Sequence, residues 1–338
     1  MKRIVSLLII TTAISCSGTK AGMSQDNSDP TKYMNSITAD ELKTHLYIVA
    51  SDEMEGRETG SAGQKKAGQY LIDQYKKEGI SFPKGATSFY QAVPAAFLNK
   101  KTRVKLNDSE NIWAYIEGSE KPNEVLVISG HYDHVGVKNG NVYNGADDDG
   151  SGTVALLEIA QAFQKAKKEG HGPKRSILFL HVTGEEHGLL GSQYYSENPL
   201  FSVANTITDI NIDMIGRRDK EHADTNNYVY LIGADRLSSD LNTICMEANN
   251  KYIKMDLDLK YNDPKDPNHF YERSDHYNFA KFGIPSVFLF NGVHADYHQK
   301  SDTPDKIEYD ALAKRAKLAF TIAWELANRE NRPVVDKK

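Results

Sequence analysis

The sequence predicts an α/β protein, a three-layer α/β/α sandwich built on a twisted, mostly parallel mixed sheet. Three observations lead there. The runs at 124–129, 177–182 and 286–290 are mostly apolar instead of alternating, as strands covered on both faces are, and 207–212 reads as another strand. Segments with apolar residues at helical spacing follow them, so strand and helix alternate along the chain. No internal repeat and no linker capable of splitting the chain is found after the first 30 residues, which predicts a single domain over 31–338.

In order along the chain, Lys2-Arg3 precede an apolar run from Ile4 to Ile14, and small residues lead on to Cys16. Residues 1–16 read as a signal peptide, shorter than the roughly 20 residues that a membrane-spanning helix needs. The setting of Cys16 resembles a bacterial lipobox, in which the cysteine is acylated and becomes the mature N-terminus. The polar stretch 17–30 then reads as a flexible tether. The expected location is therefore the periplasm or cell envelope, with membrane contact only through an N-terminal lipid. Cys245 would be the one remaining thiol, a buried residue in an apolar helix, and no internal disulfide is expected.

Two helices should follow. Thr38-Ala39-Asp40-Glu41 fits a capping box opening a helix to about Ala50, and Ser61-Ala62-Gly63-Gln64 fits another that stops at Gly79. The polar loop 55–60 between them reads equally as the border of a binding site or as a surface turn. Runs at 89–97, 103–106 and 112–116 are expected as antiparallel strands at a sheet edge. The strand at 124–129 then leads into His131-Tyr132-Asp133-His134, and a helix follows Gly152. After the alternating section, Leu312, Ala316, Ala319, Phe320, Ala323 and Leu326 share one face of a long C-terminal helix.

The charge balance, 41 Lys+Arg against 46 Asp+Glu for a net of −5, has no basic face of the kind nucleic-acid binders carry. Chemistry collects instead at strand ends. His131 and Asp133 follow the first central strand, Glu185-Glu186 the second, Asp213 the third, and His294 and His298 the fourth. In open α/β sheets ligands bind beyond the carboxyl ends of the strands. The run Asp147-Asp148-Asp149 brings three carboxylates that repel one another unless cations neutralise them. Imidazole with carboxylate suits zinc, with cobalt or manganese as substitutes, better than all-oxygen calcium or magnesium sites. These are too many ligands for one tetrahedral ion that keeps an open position, so a two-metal site is expected, one carboxylate bridging ions roughly 3.5–4 Å apart.

The motifs His131-x-Asp133, Gly145-Ala146-x-Asp148-Asp149-x-Ser151-Gly152, Glu185-Glu186-x-Gly188-Leu189-x-Gly191-Ser192, Asp213-Met214 and His298-x-x-x-Asp302-Thr303 resemble the zinc-dependent exopeptidases of the bacterial leucyl aminopeptidase type, peptidase clan MH. The resemblance implies that Asp148 bridges two zinc ions, His131 and Asp213 completing one and Glu186 and His298 the other. Glu185 would be the general base. Asp133 would hydrogen-bond the far nitrogen of His131, and Asp275 and Asp302 would brace the site from behind. Tyr271 matches the tyrosine that steadies the oxyanion. It further implies hydrolysis of N-terminal residues from peptides with a free N-terminus, by a hydroxide bridging the two ions. His294 is the rival for the His298 role. His134, where relatives commonly carry serine, reads equally as pocket lining or as a surface histidine. His181 reads as a core histidine, and Asp147 and Asp149 as solvated or loop-capping. A glutaminyl cyclase, a carboxypeptidase and a non-catalytic ectodomain are the alternatives on the same fold; the presence of Glu185 speaks against the last.

Overall fold

A computed structural model describes residues 29–337, so the signal peptide, Cys16 and the tether as far as residue 28 lie outside the described residues. The strands are β1 (Tyr90–Val93), β2 (Ser109–Ile116), β3 (Lys121–His131), the short pair β4 (Val137–Lys138) and β5 (Asn141–Val142), then β6 (Arg175–Val182), β7 (Thr206–Ile212), β8 (Tyr228–Ile232), β9 (Asp256–Asp258) and β10 (Ser286–Phe290). All but the β4–β5 hairpin join one sheet in the order β1-β2-β6-β3-β7-β10-β8-β9. The middle of it, β6-β3-β7-β10, is parallel, and β2 and β8 flank it in antiparallel pairing. The apolar runs of the sequence are these central strands, every residue of β6, β7 and β10 being buried.

The helices are α1 (Thr31–Met34), α2 (Ala39–Val49), α3 (Ala62–Glu78), α4 (Ala95–Leu98), α5 (Gly152–Lys168), α6 (Leu190–Glu197), α7 (Ser239–Ala248), α8 (His276–Ala280) and α9 (Tyr309–Asn328). Alternate strand residues face opposite layers. Leu126, Ile128, Phe179 and Ile210 pack with Leu46, Leu71, Phe163 and Phe320 of α2, α3, α5 and α9. Val125, Val127, Leu178 and Leu180 pack on the other face with Tyr195 of α6 and Phe279 of α8. Each such side chain, fully buried, stabilises the fold by roughly 1.5–3 kcal/mol. Both capping boxes form: Thr38 Oγ1 accepts from Glu41 N–H and Ser61 Oγ from Gln64 N–H, each at 3.2 Å. Gly79 ends α3 at φ 74°. Among the described residues no helix is long and apolar enough to cross a membrane.

Two edge elements differ from expectation. Only Tyr90–Val93 of the run 89–97 pairs with β2, because Pro94 has no N–H to continue a ladder and opens α4 instead. The run 103–106 forms no strand: Asn99 takes the Leu106 N–H on Oδ1 and gives its Nδ2 to the Leu106 carbonyl, at 2.8 and 2.9 Å. A side chain there supplies the hydrogen bonds that a neighbouring strand would have supplied. His181 lies in the core as expected, its Nε2 2.7 Å from the Tyr75 hydroxyl, and Cys245 is buried.

Candidate metal centre

The parallel strands β3, β6, β7 and β10 all end on one side, and each delivers a polar group there. His131 closes β3, Glu185 and Glu186 open the short turn after β6, Asp213 follows β7, and His298 stands in the loop after β10. Asp148 comes from the irregular turn Ala146–Ser151 that leads into α5.

These residues meet around Asp148. Its Oδ1 lies 3.2 Å from His131 Nε2, and its Oδ2 lies 3.0 Å from His298 Nε2 on the other side. Asp213 Oδ1 is 3.6 Å from the same His131 nitrogen, and Glu186 Oε2 is 3.0 Å from the same His298 nitrogen. The five ligands expected from the sequence are thus brought together as two groups sharing one carboxylate. His131, Asp149 and Asp213 each offer an atom within 4.8 Å of the others, and so do His134, Asp148 and Glu186.

The donor set fits divalent ions. His131 Nε2, Asp148 Oδ2, Asp149 Oδ2 and Glu186 Oε1 are buried without a hydrogen-bond partner, a cost of roughly 1–3 kcal/mol each that coordination removes. Imidazole nitrogen and carboxylate oxygen are the ligand types of zinc. Protons and imidazoles meanwhile share the negative charge. Burial works to raise the Asp148 carboxyl, but His131, His298 and His134 outweigh it and hold it well below its usual range. Burial and the charge of Asp148 oppose ionisation of Glu186, yet His134 and His298 bring it down to about 2. Burial, with Asp213, Asp275 and Glu186 nearby, pushes Glu185 well above its usual range against the pull of His131.

A layer of hydrogen bonds fixes the ligands. Ser274 Oγ donates to Asp213 Oδ2 at 2.6 Å and itself accepts from Asn211 Nδ2. Asp302 accepts the N–H groups of Asp147 and Asp148, which pins the acidic turn. Asp275 accepts from Ser192 Oγ and lies among His131, Asp213 and Glu185, at the site wall. Asp147 and Asp149 are fully buried, not solvated: Asp147 takes Gly216 N–H and Asp149 takes Gly152 and Met214 N–H.

Two assignments need correction. The Asp133 carboxylate is not the partner of the far nitrogen of His131. That Nδ1 faces the Asp133 backbone carbonyl at 3.0 Å, while the carboxylate stands 3.8 Å away and accepts from Thr59 Oγ1 and Glu185 N–H. The chain turns so tightly after β3 that the carbonyl, not the side chain, reaches the ring. Tyr271 is not brought to the carboxylates; it packs against Gly233, Arg236, His276 and Tyr277. Tyr297 is there instead. It lines one pocket with Asp148, Glu185 and Asp213, stacks on the His298 ring at 3.9 Å, and feels the charge of all three with Glu186.

His294 does not join the group; its Nε2 faces Asp147 Oδ2 at 3.1 Å, and of the two histidines it is His298 that stands with Asp148 and Glu186. His134 is fully buried beside Glu186, so the surface reading of it falls. The loop 55–60 also proves to be part of the site through Arg57, which is completely buried. Its guanidinium donates to the carbonyls of Val49, Tyr132, Asn144 and Gly145 at 2.7–2.9 Å, tying the loop after β3 to the acidic turn.

A parallel sheet that gathers two imidazole–carboxylate groups about a shared aspartate at its carboxyl end defines a metal-dependent hydrolase. The chain belongs to peptidase family M28, whose model matches residues 111–323. It is similar to a probable leucine aminopeptidase of Arthroderma benhamiae, 31% identical over 303 residues that cover 85% of this chain and 76% of the relative. A probable leucine aminopeptidase of Trichophyton verrucosum is 28% identical over 306 residues, 87% of this chain and 75% of the relative. Among solved structures the fold is shared with an aminopeptidase from Aneurinibacillus sp. strain AM-1, with TM-score 0.68 and 16% identity over 92% of this chain and 98% of that one. It is shared also with the Porphyromonas gingivalis glutaminyl cyclase, with TM-score 0.64 and 19% identity over 85% of this chain and 97% of that one.

Proposed function

We propose that the chain is a metal-dependent aminopeptidase that hydrolyses N-terminal residues from peptides with the help of two divalent ions, zinc by preference and cobalt or manganese as substitutes. The observation that carries this is Asp148, whose two oxygens face opposite ligand groups with Glu185 beside them. His131, Asp148 and Asp213 would hold one ion, and Asp148, Glu186 and His298 the other. The ions, when bound, supply Lewis acidity that brings a water's pKa to about 7.

The chain's own groups do the rest. Glu185, in the same pocket as Asp148 and Asp213 but not needed as a ligand, accepts the water's proton and hands it to the leaving amine. Tyr297 lines the same pocket, and its hydroxyl would donate to the oxyanion. Met214, Phe270, Phe288, Phe290 and Val293, with Arg273 among them, line the remainder of that pocket, a largely apolar wall suited to an apolar N-terminal side chain. The cyclase reading is not favoured, since His131 and Asp213 are both kept as ligands on the first side of Asp148. The leader 1–16 with Cys16 supports placement in the cell envelope on a lipid anchor.

A panel of aminoacyl-anilides and N-blocked peptides, assayed with and without a chelator, tests the proposal. Free N-termini should be cleaved, blocked ones spared, and chelation should abolish turnover. Cleavage of blocked peptides at an equal rate contradicts it.

A further inference from the structure

We propose that His134 is a fourth protein ligand to the ion held by Asp148, Glu186 and His298, which gives that ion a set of two imidazoles and two carboxylates. The inference rests on the two-ion reading above. His134 lies three residues beyond His131 and is fully buried. Its Nδ1 approaches Glu186 Oε1 to 2.7 Å and Asp148 Oδ2 to 3.7 Å. Even so, Nδ1, Nε2 and Glu186 Oε1 all lack a hydrogen bond, because the approach is short but wrongly angled for one. Donor atoms crowded together without bonding one another are what two ligands of a common ion present.

The second imidazole comes from another direction. His298 Nε2 stands 3.0 Å from Asp148 Oδ2 and from Glu186 Oε2, and the two rings meet edge-on at 62°. The recess for His134 is built into the backbone. Gly145 has φ +53°, and a Cβ there would fall 2.4 Å from His134 Cγ and 2.5 Å from Cδ2, so only glycine leaves room for the ring. His134 N–H donates to the Arg57 carbonyl at 3.1 Å, while the Arg57 guanidinium holds the Gly145 carbonyl at 2.8 Å, which fixes both walls of the recess.

Two imidazoles and two carboxylates make the four-ligand tetrahedral set of a closed zinc site. The other group has a single imidazole, His131, with the carboxylates of Asp148 and Asp213 and the buried Asp149 Oδ2 within 4.8 Å of His131 and Asp213. The two sites, one with two imidazoles and one with a single imidazole, should differ in affinity.

The test is titration of the chelator-stripped chain with Co2+, followed by visible absorption, and with Zn2+ in competition with a chromophoric chelator. The wild type, His134→Ser and His134→Gln are compared, each first shown to melt like the wild type without metal. The wild type should bind one equivalent more tightly, with the intense absorption of tetrahedral Co2+. Both variants should weaken that equivalent about 10–100-fold and lose intensity, since a hydroxyl and an amide are both poor ligands. Wild-type affinity and spectrum in either variant overturn the proposal. A wild-type chain that takes up only one equivalent overturns the two-ion reading instead; the role of His134 is then upheld if His134→Ser weakens that equivalent and overturned if it does not.

Discussion

Replacing Arg57 by methionine keeps most of the side chain's volume and removes its five donors. Four carbonyls lose a partner, and Gly145 alone among them retains another, the N–H of Gly150. Three buried carbonyls left bare cost roughly 1–3 kcal/mol each, so Arg57→Met should destabilise the metal-stripped chain by about 3 kcal/mol or more. That is a large part of the roughly 5–15 kcal/mol by which a native protein is stable. The cation also stands among Asp133, Asp148, Asp149 and Asp302, whose mutual repulsion it offsets. Arg57→Lys keeps the charge but not the planar fork, and should recover only part of the loss. Urea unfolding of the three chains without metal measures the effect as a shift in midpoint at constant slope. If both variants unfold within about 1 kcal/mol of the wild type, the buried guanidinium does not hold the site's loops together and the reasoning fails.

Tyr297→Phe should lower kcat about 100-fold with little change in KM, as removal of one oxyanion donor does, whereas Tyr271→Phe should leave kcat unchanged; steady-state kinetics on one anilide decide between them. His298→Ala should lose one of the two bound equivalents on metal analysis, while His294→Ala, whose ring meets Asp147 and the Asp296 N–H but not the group about Asp148, should keep both. Burial depresses the His181 pKa from 6.5 to about 3, so the folded state gains from a neutral ring above pH 6.5 and loses that gain as the pH falls toward 3. At pH 5.5 the loss should be about 1.4 kcal/mol, and in His181→Gln the stability difference between pH 7.5 and 5.5 should shrink by that amount in urea titrations.

Much of this was legible in the sequence because it depends on local pattern. Continuously apolar strands such as Ile177–Val182 can only be central, and the groups just past their ends must then share one edge of the sheet. What escaped depends on how the chain turns in space. The carbonyl of Asp133 displaces its carboxylate at His131 through a turn that residue spacing does not encode. Tyr297 carries no signal beyond standing next to His298, and Tyr271 is carried away by the course of the loop before it. Arg57 sits in a run of polar residues typical of a surface turn, and only the carbonyls folded around it make it a core residue. His134 was visible as a departure from the serine of relatives, but the vacancy made by Gly145 at positive φ is a tertiary fact.

Turnover requires Glu185 to act on a water at the site formed by His131, Asp148, Asp213, Glu186 and His298. Glu185→Gln, purified and loaded in parallel with the wild type, should hold the same metal content while kcat/KM falls about 100- to 10,000-fold. A variant that binds the same metal and cleaves as fast as the wild type would leave the proposed chemistry without its base.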